Sequence, residues 1–307
     1  MNYFIVNPNS GGGHGQVIWQ RTEEYLKSKG IPYELYFTQK KGDAREKASE
    51  LTKGKKFTDG SSVIVISGDG TINESVNGID LESGINFGFI PGGSGNDLSR
   101  SFGFDNESLE HTISILEGKN VRPTDIGVLT VNGVERRFAV SAGTGFDALT
   151  AFEMDNSPVK KACNKLHMGW MAYFILGVKC FFGSKATPGT VETKDGIREY
   201  GHLLFVSAHN HPFEGGGFKF APNAVYDDGN LELCIVDAPG RLGLIKALIL
   251  AKGKNGLVDS KNVTHLSTEY VKIRLKDEKR THIDGEDAGM NREIEMRCLK
   301  GALRMLV

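Results

Sequence analysis

One pattern near the start of this chain constrains its fold more than any other. Three times, an apolar run ends in a glycine-rich turn. "YFIV" (3–6) ends in "NPNSGGG" (7–13), "SVIVIS" (62–67) enters "SGDGTIN" (67–73), and "NFGFIP" (86–91) enters "PGGSGND" (91–97). Helical spacing fills the gaps. It runs over 16–29 (Val17, Ile18, Tyr25, Leu26), over "DAREKASELTK" (43–53), near Ile72 to Asn77, and over "SLEHTISILEG" (108–118); "YELYFT" (33–38) adds a strand. Strands alternating with helices imply βα units on a mostly parallel sheet. Val- and Ile-rich strands fit a sheet covered on both faces. Residues 1–125 therefore read as a Rossmann-like α/β domain.

The pattern changes near Asp125. "GVLTV–NG–VERRFAV" is a hairpin around Asn132-Gly133, and "TVETKDGIREYGHLLFVSA" (190–208) turns at Asp195-Gly196. Further strands are expected at "LELCIV" (231–236), "YVKIRL" (270–275) and "EIEMRC" (293–298), with helical inserts at about 158–182 and 241–253. Residues 126–298 read as a mainly β, sandwich-like domain, and 299–307 are left open to pack back on the first domain. A chain of 307 residues suits two such domains.

In an open α/β sheet, ligands bind outside the carboxyl ends of the strands. Glycine lets backbone N–H groups approach phosphate closely, and Ser10, Thr71 and Ser94 can add donors. One such turn is ordinary punctuation of a strand end. Three of them, each carrying Asn or Asp, point to phosphate. No G-x-x-x-x-G-K-[ST] occurs and no GxGxxG opens the first helix, so the nucleotide is held in some other way. Asp69 puts a negative charge inside one of these turns. Acids in a phosphate cleft are tolerable with a cation between.

"SGDGTINE" followed by "PGGSGNDLSR" resembles the catalytic domain of diacylglycerol kinases, a family that includes sphingosine kinases, ceramide kinase and bacterial soluble lipid kinases. "VNPNSGGG", "GTGFDA" (143–148), "GGGFKFAPNAVYDDGNLEL" (215–233) and "HIDGEDAG" (282–289) extend the likeness over nearly the whole chain. NAD kinases and phosphofructokinases share a version of the glycine–acid turn, but "PGGSGND" and "IDGE" are more specific. Ser67 departs from the family's usual glycine.

The resemblance implies an ATP-dependent, Mg²⁺-requiring kinase that phosphorylates a hydroxyl of diacylglycerol or a related lipid, giving phosphatidic acid. It implies that Asn7, Ser10, Gly11 and Thr38 line the nucleotide site, that Ser67, Gly68, Asp69, Gly70, Thr71, Asn73 and Glu74 wrap the phosphates, and that Gly93, Ser94 and Asn96 complete it. Asp69, Asp97 and Asp125 match acids that organise Mg²⁺ and water. Asp284 and Glu286 match the catalytic base or its neighbour. "AVYDDGNL" matches a Mg²⁺ loop with ligands from Val225, Asp228 and Asn230, although Asp228-Gly229 and Asp284-Gly285 also read as ordinary hairpin turns. His209 and His211 either line the core or face the acceptor, and Arg100 either balances the acids or lies on the surface. The alternatives are an NAD kinase-like phosphotransferase and a non-catalytic nucleotide-binding module.

A net charge of −1 offers no general attraction to nucleic acid. Cys163, Cys180, Cys234 and Cys298 form no zinc pattern and fit reduced cytoplasmic thiols, and no secretion signal is seen. Nor is a transmembrane segment expected: the longest apolar stretch (166–183) is broken by Gly169, Gly177 and Lys179. That stretch and "RLGLIKALILAKGK" (241–254) are the two candidates for peripheral contact with the inner membrane face, with core packing as the competing role for each. The resemblance also admits a homodimer.

Overall fold

The computed structural model describes residues 1–104, 109–118, 120–156, 180, 184–238, 249–258 and 260–307. They form two compact units, Met1–Asp125 with Gly301–Val307, and Ile126–Lys300.

The first unit is built on parallel strands. β1 (Asn2–Val6) pairs with β2 (Tyr33–Phe37) on one side and with β3 (Ser62–Ser67) on the other, and β3 pairs with β4 (Asn86–Pro91). The chain's last strand, β15 (Glu286–Leu306), ends against β4 in parallel register, Arg304 facing Asn86 and Met305 facing Phe87. Every residue of β3 and of β4 is buried, as expected for central strands whose two faces are covered; the edge strand β2 is half exposed. The helices are α1 (His14–Lys29), α2 (Asp43–Thr52), α3 (Asp69–Gly78), α4 (Asp97–Ser101) and α5 (Leu109–Glu117). On α1 the buried line is Gly15, Trp19, Thr22 and Leu26, whereas Val17 is exposed, so the inward face is rotated from the one its apolar residues suggest. Trp19 packs on Phe4 and Tyr33, and with Ile64, Ile66 and Leu306 forms the core. Burying a side chain such as Ile64 contributes about 1.5–3 kcal/mol.

Strand order reverses between β1 and β3, because the chain steps from β1 outward to β2 and then returns to the other side of β1. Such a reversal opens a crevice at the carboxyl ends of the two strands. The first two glycine turns leave from those ends.

The second unit is antiparallel. β5 (Val121–Val131) and β6 (Val134–Phe138) form the expected hairpin, with Asn132 at φ 51° and Gly133 at φ 75°. β7 (Ser141–Gly145) lies between β9 (Gly196–His209) and β14 (Tyr270–Ile283). β8 (Thr187–Thr193) pairs with β9 through the Asp195-Gly196 turn, and β12 (Leu231–Asp237) pairs with β9 and β13 (Val263–Thr268). α6 (Phe146–Asn156) follows β7, and β10 (Phe213–Glu214) and β11 (Phe218–Lys219) form a small separate ribbon. Phe138, Val206, Leu233, Ile273 and Ile294 are central to the core.

Two strands are longer than their sequences suggest. β14 continues past the expected 270–275 through "KDEKR", where the pairing register with β15 shifts between Arg274 and Lys279. The charged run stays within the strand rather than forming a loop, with Lys276, Asp277 and Glu278 exposed and Lys279 and Arg280 half-buried. β15 passes through Gly289 (φ 85°) and Gly301 (φ 56°), positions that punctuate the sequence without ending the strand. The 158–182 insert, the aromatic surface at 166–183, Cys163, and residues 241–248 of the second insert lie outside the described residues, Cys180 apart. Among the described residues, Cys180, Cys234 and Cys298 are free thiols. No helix among those residues is long and apolar enough to cross a membrane.

Candidate active site

The three glycine turns of the first unit pack against one another. A Cβ on Gly93 would lie 2.5 Å from the Gly68 Cα, and one on Gly11 2.5 Å from the Gly92 carbonyl oxygen. A Cβ on Gly15 would lie 2.2 Å from the Asn7 carbonyl oxygen. Only glycine permits backbone to approach backbone this closely. The glycines therefore first bring three loops together.

Polar bonds fasten the same loops. Asn7 Nδ2 donates to Thr71 Oγ1 at 3.4 Å, and the Ser10 hydroxyl donates to the Asn7 carbonyl at 2.9 Å. Asn96, in the left-handed region at φ 50°, braces its own turn: its side chain accepts from Gly93 N–H at 3.0 Å and donates to the Gly93 carbonyl at 2.9 Å. Ser94 is exposed at the tip of that turn. Thr38 N–H donates to the Val6 carbonyl at 2.9 Å, which sets that threonine beside the end of β1. Ser67 and Asn73 are buried. Glu74 accepts the Gly42 N–H at 3.0 Å, at the start of α2. Arg100 turns back on its own loop, Nη2 lying 3.5 Å from the Gly95 carbonyl.

Asp69, Gly70 and Thr71 open α3, so their amides belong to a helix N-terminus. The partial positive charge there favours an acid in the first turn. Asp69 Oδ2 accepts the Asp97 N–H at 3.3 Å, and a Cβ on Gly95 would meet Asp69 Oδ2 at 3.0 Å and Asp97 Oδ2 at 3.9 Å. Two carboxylates thus converge beside one glycine. That pair fits a hard cation such as Mg²⁺, which takes one or two protein carboxylates. Asp125 is fully buried and its Oδ1 accepts the Gly301 N–H at 2.6 Å, fastening the returning strand to β5.

In the second unit, Asp284 sits at φ 46° and Gly285 at φ 79°, in the hairpin turn between β14 and β15. Its carboxylate accepts three backbone bonds, from Ala139 N–H (2.8 Å), Val140 N–H (2.9 Å) and Ser141 N–H (2.9 Å). Glu286 pairs with Arg136 at 3.3 Å. The 225–230 loop holds an Asx turn, Asp228 Oδ1 accepting the Asn230 N–H at 2.8 Å, while Val225 is 45% exposed. His209 and His211 are fully buried. His209 Nε2 lies 2.8 Å from Ser207 Oγ, and His211 stacks on Tyr226. Burial pushes His211 down to about 3.

The sequence reading did not single out a further cluster. His282 Nε2 lies 3.2 Å from Asp147 Oδ2 and 3.6 Å from Glu214 Oε1. Burial works against a charged imidazole, but Glu214 and Asp147 outweigh it and lift His282 to about 9. The sequence signals are "GTGFDA", which carries Gly143 and Asp147, and "HIDGEDAG", which opens on His282; nothing in the sequence marks Glu214.

The comparisons with known proteins agree with this architecture. Residues 2–129 match the family model described as the diacylglycerol kinase catalytic domain, and residues 140–307 match the YegS C-terminal NAD kinase beta sandwich-like domain. A diacylglycerol kinase of Bacillus subtilis (strain 168) is 28% identical over 288 residues, covering 93% of this chain and 89% of that one. The crystal structure of a diacylglycerol kinase from Bacillus anthracis (Sterne) superposes with a TM-score of 0.73 at 21% identity, covering 99% and 96%. An NAD kinase from Archaeoglobus fulgidus in complex with ATP superposes with a TM-score of 0.51 at 13% identity, covering 100% and 94%. With two successive family models spanning almost all of its length, the chain belongs to the diacylglycerol kinase catalytic-domain family.

Proposed function

We propose that this chain is an ATP-dependent lipid kinase that transfers the γ-phosphate to a hydroxyl of diacylglycerol or a related lipid, giving phosphatidic acid or its counterpart. The carrying observation is the convergence of Asp69 and Asp97 beside Gly95, among three glycine turns packed at the strand-order reversal. Phosphoryl transfer needs positioning and charge neutralisation more than covalent chemistry. In this reading the amides of Gly11, Gly68, Gly70 and Ser94 would hold the nucleotide, while the Ser10 and Gly93 amides, donated to the Asn7 carbonyl and the Asn96 side chain, keep their loops in shape. Thr38, Ser67, Thr71, Asn73 and Glu74 shape its surroundings.

Asp69 and Asp97 would hold Mg²⁺, which neutralises phosphate charge when bound. Asp284 would orient the acceptor hydroxyl and take its proton, held in aim by the three N–H groups it accepts. Glu286 would act beside it. The family relatives named as diacylglycerol kinases support the acceptor class.

A γ-phosphate transfer assay tests this against diacylglycerol, sphingosine, ceramide, phosphatidylglycerol, undecaprenol and NAD. Labelling of diacylglycerol or another lipid is the expected result; labelling of NAD alone, or of nothing, would overturn it.

A lipid acceptor also requires contact with a bilayer. Ile249 and Leu250, in the described end of the second insert, are 64% and 43% exposed. Lys252 beside them donates to the Gly216 carbonyl at 2.9 Å and lies over Phe218, so it is fastened to the fold. Ile249→Asp with Leu250→Asp is therefore a better probe of membrane contact than a lysine substitution. Co-sedimentation with anionic liposomes should fall several-fold in that variant.

A further inference from the structure

We propose that the second unit binds a first-row divalent transition-metal ion of the Zn²⁺ or Mn²⁺ class, ligated by Asp147, Glu214 and His282. The proposal does not depend on the kinase reading. It concerns residues separate from Asp69 and Asp97 and from the Asp228 loop.

The topology prepares the place. Gly143 on β7 pairs with Ser207 of β9 on one side and with His282 of β14 on the other, so the three share one row across the sheet. The middle position has no side chain. A Cβ there would lie 2.5 Å from Asp147 Oδ2, 2.7 Å from Ser207 Cβ and 3.0 Å from His282 Nε2. Glycine thus keeps open the space into which the first turn of α6 lowers Asp147. Glu214 enters from β10.

The distances suit a shared ion. The three ligand atoms all lie within 4.8 Å of one another, with 3.2 Å and 3.6 Å from His282 Nε2 to the two carboxylates. Metal–ligand bonds of about 2.0–2.2 Å at tetrahedral or octahedral angles separate ligand atoms by about 2.8–3.6 Å. A hydrogen bond accounts for less. The single Nε2–H can serve Asp147, but 3.6 Å to Glu214 lies beyond hydrogen-bond range.

Burial strengthens the argument. His282 and Asp147 are 0% and 6% exposed, and the Glu214 side chain 13%. Two carboxylates this dry favour a positive charge at the point they share. On the far side of Glu214, buried His209 places Nε2 3.8 Å from Oε2, so the glutamate is enclosed by polar groups. One imidazole nitrogen with two carboxylates suits Zn²⁺, Mn²⁺ or Fe²⁺ better than Mg²⁺, which prefers oxygen ligands and retains its waters. Such an ion would join α6, β10 and β14, three segments far apart in sequence, at one point.

The test uses the full chain, stripped with a chelator and then dialysed against CoCl₂ or ZnCl₂ in excess MgCl₂. The expected result is retention of about one equivalent per chain, with visible Co²⁺ absorption bands of a protein-bound ion. His282→Gln and Asp147→Asn should lose both the metal and the bands. Asp69→Asn and Asp228→Asn should keep them. Failure of the wild-type chain to retain Co²⁺ or Zn²⁺ overturns the proposal, and so does retention in both His282→Gln and Asp147→Asn. Should either of these fail to fold by circular dichroism, Glu214→Gln replaces it with the same criteria.

Discussion

Asp69–Gly70 opens a helix in the first unit, whereas Asp284–Gly285 closes a hairpin in the second. The dipeptide is the same, and its surroundings decide the outcome. After β3 the chain turns right-handed into α3, and Asp69 is set by the helix start and faces another acid, Asp97. After β14 both residues adopt positive φ, and Asp284 is set by three amides from the neighbouring loop. Asp69 is held by one amide and a helix start, whereas Asp284 is held by three amides of one neighbouring loop. Loss of the charge should therefore affect catalysis and folding in different proportions at the two sites.

The largest effect is expected at Asp284→Asn. An amide cannot serve three donors as a carboxylate does, so at least one buried N–H loses its acceptor, costing about 1–3 kcal/mol. Transfer should fall about 10³-fold as well. A urea titration beside the kinetics separates the two losses. An unchanged midpoint would show that the three amide bonds contribute nothing to stability.

Asp69→Asn should lower transfer about 10²-fold while stability stays within about 0.5 kcal/mol. A clear fall in its urea midpoint would erase the contrast with Asp284. Gly93→Ala comes next: its Cβ would press on Gly68, and overpacking of that kind costs about 1–3 kcal/mol. Weaker nucleotide binding by calorimetry should accompany the stability loss. If only binding falls, the loops yield more easily than their contacts suggest.

Glu286→Gln should do least. Its Arg136 partner is partly exposed, and such pairs contribute about 0–1 kcal/mol. A transfer rate within about threefold of wild type would leave Asp284 as the residue that handles the acceptor.

The parts legible in the sequence are those whose causes are local. An apolar run, a glycine turn and a helical pattern lie side by side, so β1, β3, β4 and the helices between them could be read directly, as could the Asn132-Gly133 hairpin. Strand length was harder to read. The charges of "KDEKR" look like a loop, yet Lys279 and Arg280 pair with Asn291 and Met290 across a register shift, and Gly289 and Gly301 lie within β15 rather than at its ends. The glycines of the turns point to phosphate in the sequence, while in the fold Gly68 and Gly93, and Gly11 and Gly92, lie against one another. Asp147, Glu214 and His282 stayed hidden because no spacing joins them: Asp147 and His282 stand 135 positions apart and meet only through the β7–β14 pairing.

The return of β15 to β4 also orders events in time. The chain leaves the first unit at Asp125 and re-enters it at Gly301, where Asp125 receives the Gly301 N–H. During synthesis from the amino end, β4 must wait with one edge unpaired while the whole second unit is made. The nascent first unit thus carries an open strand edge, the kind of surface on which chains join one another. Arg304 and Met305, which come to lie beside Asn86 and Phe87, are the residues whose arrival ends that exposure.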